Sequence, residues 1–71
     1  MPKGVVQFFL EKKGYGYIRI PETREEFYVH EKQLLESVKK GDRVSFEIKE
    51  GKQGLYATMV SLEKPQIQDD P

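Results

Sequence analysis

Five short runs of this chain alternate in side-chain character, and turn residues rich in glycine, proline and charge separate them. The runs are Gly4–Leu10, Tyr15–Ile20, Glu26–His30, Asp42–Glu50 and Leu55–Glu63. They are rich in β-branched and aromatic residues, which suit a pleated surface. Alternation at period two sends successive side chains to opposite faces, so each run predicts a strand with one buried and one wet face. A chain of 71 residues has room for one domain. A sheet this small needs closure to protect its edges. Only Glu31–Lys40 has helical character: Leu34, Leu35 and Val38 would share one side, and Gly41 would stop the helix after one or two turns. Five strands with a short helical turn between the third and fourth predict an all-β, five-stranded antiparallel OB-fold barrel. A small SH3-like barrel is the second architecture. The domain is expected over residues 1–63. Lys64–Pro71 is polar and proline-bounded, and is expected to be a disordered tail.

Parity also assigns the core. Gly16, Ile18 and Ile20 are expected inward on the second run, with Phe27 and Val29 on the third. Val44, Phe46 and Ile48 are expected inward on the fourth. Leu34, Leu35, Val38 and Val60 complete the expected core. The opposite parity leaves Tyr15, Tyr17 and Arg19 on one outer face, and Glu26, Tyr28 and His30 on another.

Composition excludes several classes of chemistry. The chain has no cysteine and a single histidine, His30. It therefore has no disulfide framework, no thiolate site and no histidine cluster for a metal. No nucleophile–base pair or acidic dyad is placed to work. The expectation is a non-enzyme with no catalytic residue, no cofactor and no metal. The lack of cysteine suits a reducing cytoplasm. No apolar run approaches the roughly 20 residues that span a bilayer, so no membrane partner is expected. The basic start and short apolar patch of the N-terminus lack a signal peptide's cleavage site and are read as structure. Twelve basic and twelve acidic residues give a formal net charge of zero.

The stretch Lys13-Gly14-Tyr15-Gly16-Tyr17-Ile18-Arg19-Ile20 carries the strongest chemical signal. Tyr15 and Tyr17 lie two apart on one strand, so their rings project from one face roughly 7 Å apart. That spacing suits stacking of neighbouring unpaired bases, and each stack is typically worth about 1–3 kcal/mol whatever the base. Burying the two rings instead would require partners for two hydroxyls. Lys13 and Arg19 are placed to meet phosphates. The stretch also fits the first four positions of the aromatic strand of RNA-recognition motifs. In that fold, however, the motif follows a strand, a helix and another strand, and only twelve residues precede Lys13.

The runs GVVQFF, KGYGYI, FYVH, GDRVSFEI and GLYATMV, in that order, resemble the cold-shock domain family from Gly4 to about Val60. The resemblance implies a five-stranded barrel that binds single-stranded RNA or DNA without chemistry. Members carry lysine-tryptophan-phenylalanine-asparagine on the first strand, where Gln7, Phe8, Phe9 and Leu10 stand here. Phe8 takes the place of the exposed tryptophan with a smaller ring. Lys13, Tyr15 and Tyr17 match binding positions of the family, as do Tyr28 and His30 on the second aromatic strand. Glu31 stands where members have a further aromatic, and the segment from His30 to Gly41 is short for the family. Phe8 and Phe9 conflict with strict alternation, because Val6 must face in while Phe8 faces out. A bulge or a strong strand twist would resolve this. Phe9 is then expected to be half-buried.

The expected site is therefore Gln7, Phe8, Lys13, Tyr15, Tyr17, Arg19, Tyr28 and His30. The expected partner is single-stranded RNA or DNA, bound with low sequence specificity by a monomer. The expected role is that of an RNA chaperone or a regulator of transcription or translation. His30 has two further readings, as an ordinary surface residue or as a capped residue at the strand end. Tyr56 is either a lesser surface ring or strand packing. The alternative function is a protein-interaction barrel in a ribosomal or transcription complex, since exposed aromatic patches also mark protein partners.

Overall fold

A computed structural model of the chain describes residues 1–63. The expected tail over 64–71 lies outside the described residues. The strands are β1 (Lys3–Leu10), β2 (Tyr15–Ile20), β3 (Glu25–His30), β4 (Arg43–Gly51) and β5 (Gly54–Leu62), with one 3₁₀ turn, Glu31–Gln33, after β3. They close a barrel in the order β1-β2-β3-β5-β4. This is the five-stranded barrel, with one helical turn between the third and fourth strands, that the alternating runs predict.

Four seams are antiparallel: β1 with β2, β1 with β4, β2 with β3, and β4 with β5. The β3–β5 seam is parallel, with Tyr28 opposite Tyr56. A ring of five strands cannot reverse direction at every seam, because an odd cycle leaves one pair pointing the same way. Closure therefore requires a parallel seam, and it falls between the two strands that carry Tyr28 and Tyr56.

The core is Val6, Ile18, Phe27, Val29, Val38, Val44, Phe46, Ala57 and Val60, with Phe9, Ile20, Leu34 and Leu62 packed against it. The Phe27 and Phe46 rings meet at the centre with centroids 5.8 Å apart. Inward parity thus holds along β2, β3 and the first half of β4.

Two expected core residues lie outside it. Leu35 is 60% exposed, and Ile48 is 37% exposed. The helix expected over Glu31–Lys40 shrinks to the turn Glu31–Gln33. After it, Leu34 is extended and bridges Val60 in parallel, and the Leu35 N–H donates to the Val60 carbonyl at 2.7 Å. A ten-residue helix is marginal in water, whereas β5 offers the segment ready backbone partners. Extended backbone then alternates, with Leu34 inward and Leu35 outward. The Thr58 hydroxyl donates to Gln33 Oε1 and ties the turn to β5. Ile48 fails for a different reason. The β1–β4 pairing stops at Lys3 opposite Ser45, and after the Phe46 N–H donates to the Pro2 carbonyl β4 pairs only with β5. Ile48 keeps the parity of Phe46 and lies opposite the buried Ala57, but with no strand on its other side it stays exposed at the edge of the core.

Candidate nucleic-acid interface

The outer face of the barrel can be read row by row from the strand registers. Tyr15 lies opposite His30 on β3 and Leu10 on β1. Tyr17 lies opposite Tyr28 and Phe8. Arg19 lies opposite Glu26 and Val5. The middle row continues across the parallel seam from Tyr28 to Tyr56, and then to Lys49 on β4. Phe8, Tyr17, Tyr28 and Tyr56 thus form one aromatic row across four strands, perpendicular to the chain direction.

The rings interlock. Phe8 meets Tyr17 with centroids 5.6 Å apart and Tyr15 at 6.4 Å. Tyr15 and Tyr28 lie nearly parallel, 24° apart in plane with centroids at 5.9 Å. Tyr17 meets Tyr28 edge-on, also at 5.9 Å. Such offset and edge-on pairs are favourable by about 0.5–1.5 kcal/mol each beyond burial. They hold the platform in shape before anything lands on it. Phe8 and Tyr28 are exposed, and Tyr15, Tyr17 and Tyr56 are half-buried.

A bulge on β1 makes this surface possible. Val6 pairs with Ile18 and Phe8 pairs with Tyr17, so Gln7 is the extra residue. The bulge turns Phe8 outward while Val6 stays in the core, which resolves the conflict in the sequence. Phe9 falls inward and half-buried, as expected. Gly16 lets β1 and β2 approach beneath the rings: a Cβ there would meet the Phe8 carbonyl oxygen and lie 2.8 Å from Phe9 Cα. Gly14 adopts φ +78° in the preceding turn, a conformation glycine takes without steric cost. Its N–H donates to the Leu10 carbonyl at 2.7 Å.

The polar residues expected at the site sit around the platform. Gln7 Nε2 donates to Glu26 Oε2 at 2.6 Å, so this amide fixes a carboxylate at the edge of the Arg19 row. His30 Nδ1 accepts the Lys32 N–H at 3.1 Å and caps the 3₁₀ turn. That bond places the ring proton on Nε2 and makes His30 the cap of the turn, where its two further readings had it only as a surface or a capped residue. Lys13 lines a cleft with Leu10, Lys12, Val38 and Lys39. Arg19 lines another with Val5, Gln7, Pro21, Lys40 and Gly41. Both clefts follow the margin of β1, where the Gly41 N–H donates to the Val6 carbonyl at 2.9 Å. Lys13 and Arg19 therefore belong to two separate clefts, neither of them lined by a ring of the platform. At the far end of the row, Lys52 lines a hollow of about 530 Å³ with Tyr17, Tyr28, Gly51 and Tyr56.

Three residues that the structure places on or beside the aromatic row were not among the expected site members: Tyr56, Lys49 and Lys52. Tyr56 was open between two readings, and its place beside Tyr28 depends on the parallel seam. The lysines lie in KEGKQGLY, a turn whose side relative to the platform local alternation does not specify. Lys49 and Lys52 thus stand at the β4–β5 end of the aromatic row although the chain as a whole is neutral.

Among the described residues, no group of three or more His, Cys, Asp or Glu is placed to hold a metal ion. Among them, too, no helix is long and apolar enough to cross a membrane.

Residues 2–63 match the family model of the 'Cold-shock' DNA-binding domain. The chain is 41% identical to a cold shock-like protein of Thermotoga maritima, across 84% of this chain and 96% of that protein. It is 39% identical to the major cold shock protein CspA of Bacillus cereus, across 80% of this chain and 90% of that protein. It is 33% identical to Y-box-binding protein 3 of Homo sapiens, across 82% of this chain but 18% of that much longer protein. With the closed barrel, the ordered motifs and these matches together, the chain belongs to the cold-shock domain family.

Proposed function

We propose that this domain binds unpaired stretches of RNA or DNA across β1, β2, β3 and β5, stacking bases on Phe8, Tyr15, Tyr17, Tyr28 and Tyr56, and that it acts as an RNA chaperone. The observation that carries the reading is the aromatic row, which presents flat rings to solvent on one face. Every base has a π-face, so such a platform binds with little sequence preference. Lys13, Arg19, Lys49 and Lys52 meet the backbone at its margins, and Gln7 and His30 supply polar edges. The mechanism is mass action. A base stacked on the platform is withdrawn from pairing, so the strand is held open without chemistry and no group acts as a catalyst. The domain, residues 1–63, works as a monomer in the cytoplasm with single-stranded nucleic acid as its partner. The family's description as DNA-binding supports this reading.

The test is titration of tyrosine fluorescence with short oligo-pyrimidines. The chain has no tryptophan, so the platform rings themselves report. The double variant Tyr15→Ala with Tyr17→Ala should lose roughly 2–6 kcal/mol of binding, from about 1–3 per stack. Its urea melt should remain cooperative, because neither side chain belongs to the core. Unchanged binding by the double variant would sink the stacking mechanism. A wild-type protein that binds no oligomer would make the platform a protein-docking surface instead.

A further inference from the structure

Among the described residues, Arg19 has no charge partner. It lies opposite Glu26 across the β2–β3 seam, where opposite charges ordinarily pair. Glu26 Oε2 instead accepts from Gln7 Nε2 at 2.6 Å. The two ion pairs among the described residues, Lys3 with Glu63 and Lys39 with Asp42, leave Arg19 out. Its Nε–H is buried with no protein acceptor, and it is the one side-chain polar atom among the described residues in that state. Buried donors are nearly always matched, because an unmatched one is costly. Arg19 and Lys40 line a cleft of about 450 Å³ together with Val5, Gln7 and Pro21. Among the described residues, no carboxylate lines it. Asp42, two residues after Lys40, is held by Lys39, whose N–H donates to Asp42 Oδ2 at 2.9 Å. The cleft thus gathers two cations and no anion in a chain of zero net charge.

We infer that this cleft is a seat for a terminal phosphate, a phosphomonoester carried by the end of a strand or by a free mononucleotide. Such a group carries a charge of about −1.5 to −2 near neutral pH and has three acceptor oxygens. Two unneutralised cations match that charge, and an arginine can bind two phosphate oxygens at once. A bond from Nε satisfies the buried donor. The phosphodiesters within a strand carry a single charge and two free oxygens, and match the pair less well. Position points the same way. Arg19 follows Tyr17 by two residues on the same face of β2, roughly 7 Å further along, the same step that separates the two tyrosines. Its row, shared with Val5 and Glu26, carries no ring. Stacking therefore stops at the Tyr17 row and cations begin in the next, where the end of a stacked strand would lie. The seat stands on the cleft alone; that a strand end fills it rests on the nucleic-acid reading above.

The first measurement follows the Arg19 Nε–H signal of the full chain by ¹⁵N NMR as inorganic phosphate replaces chloride at constant ionic strength. The signal should move and saturate together with the Val5 and Gly41 amides, while the Tyr15 and Tyr28 amides stay in place. In Lys40→Gln the same shift should need about tenfold more phosphate, the scale of one charge-assisted hydrogen bond. A shift that never saturates, or one spread evenly over the amides of the chain, overturns the inference. The second measurement separates the two sources. Thymidine hexamers with a 5′-phosphate, a 3′-phosphate or hydroxyls at both ends are titrated beside thymidine monophosphate. If a strand end fills the seat, one phosphorylated hexamer binds about tenfold more tightly than the hydroxyl-ended one, again one charge-assisted bond. Lys40→Gln should lose that gain and keep its affinity for the hydroxyl-ended hexamer. If a free nucleotide fills the seat, the monophosphate moves the Arg19 signal and the three hexamers bind alike. Hexamers that bind alike, with a monophosphate that leaves the Arg19 signal unmoved, overturn the inference. So does a gain that Lys40→Gln keeps. Hexamers that bind nowhere, while phosphate still moves the Arg19 signal, overturn the nucleic-acid reading and leave the seat standing.

Discussion

A methyl group at position 16 has nowhere to go. It would meet the Phe8 carbonyl oxygen and lie 2.8 Å from both Phe9 Cα and the Phe9 ring. Two of those three atoms are backbone, so no side-chain rotation relieves the clash, and β1 and β2 would have to separate. Gly16→Ala should cost about 3 kcal/mol, the upper end of usual overpacking costs, as read by chemical denaturation. A cost below about 0.5 kcal/mol, the range of ordinary surface changes, would show that the strands are not so close. The same residue explains the spacing of the tyrosines. A glycine between Tyr15 and Tyr17 lets β1 come close enough for Phe8 to join their face. The shared face of Tyr15 and Tyr17 was legible in the sequence, because a residue's parity within one strand is a local property; the close approach of β1 at Gly16 was not. The role of Tyr56 was not, since nothing local to LYATMV says which strand lies beside it.

At the scale of elements, the segment between β3 and β4 departs furthest from its sequence pattern. Leu34, Leu35 and Val38 have helical spacing, yet the backbone turns once and then runs alongside β5. Leu35 therefore points away from the core, and Val38 points into it at 5% exposure. Truncating each to alanine separates the two geometries. Val38→Ala should destabilise the fold by about 2 kcal/mol, from two methyl groups and the void they leave. Leu35→Ala should change stability by less than about 0.5 kcal/mol, as surface substitutions do. On a helix burying its apolar side, the two losses would be comparable, and thermal or urea melts would show it. The bulge at Gln7 is the opposite case. The conflict it resolves was legible, because strict alternation cannot send Val6 and Phe8 opposite ways, and of bulge and twist the structure uses the bulge: the break in the β1–β2 register falls at that residue.

For the whole molecule, charge placement matters more than charge total. Zero net charge argues against a binder driven by long-range attraction, but Lys49 and Lys52 stand at the Tyr56 end of the aromatic row. Such a site neutralises few phosphates, about two to four. With roughly 0.7 counterions released per contact on a single strand, the logarithm of affinity should fall with the logarithm of salt at a slope of about −1.5 to −3. A slope near −6, as for eight or more contacts, would mean that phosphates and not rings hold the strand. Titration of one oligomer at several salt concentrations decides it.

The sequence by itself determined the number of strands, the inward and outward faces of β2 and β3, and the lack of any cysteine. These follow from composition and period-two alternation, which each segment expresses on its own. Only the tertiary structure decided how the strands meet. Closing five strands into a ring requires one parallel seam, and that seam brings Tyr56 beside Tyr28 and completes the row. The end of the β1–β4 pairing leaves Ile48 exposed at the edge of the core, and the pull of β5 on Leu34 and Leu35 undoes the expected helix. Each of these outcomes depends on contacts between residues far apart in the chain, which no local pattern contains.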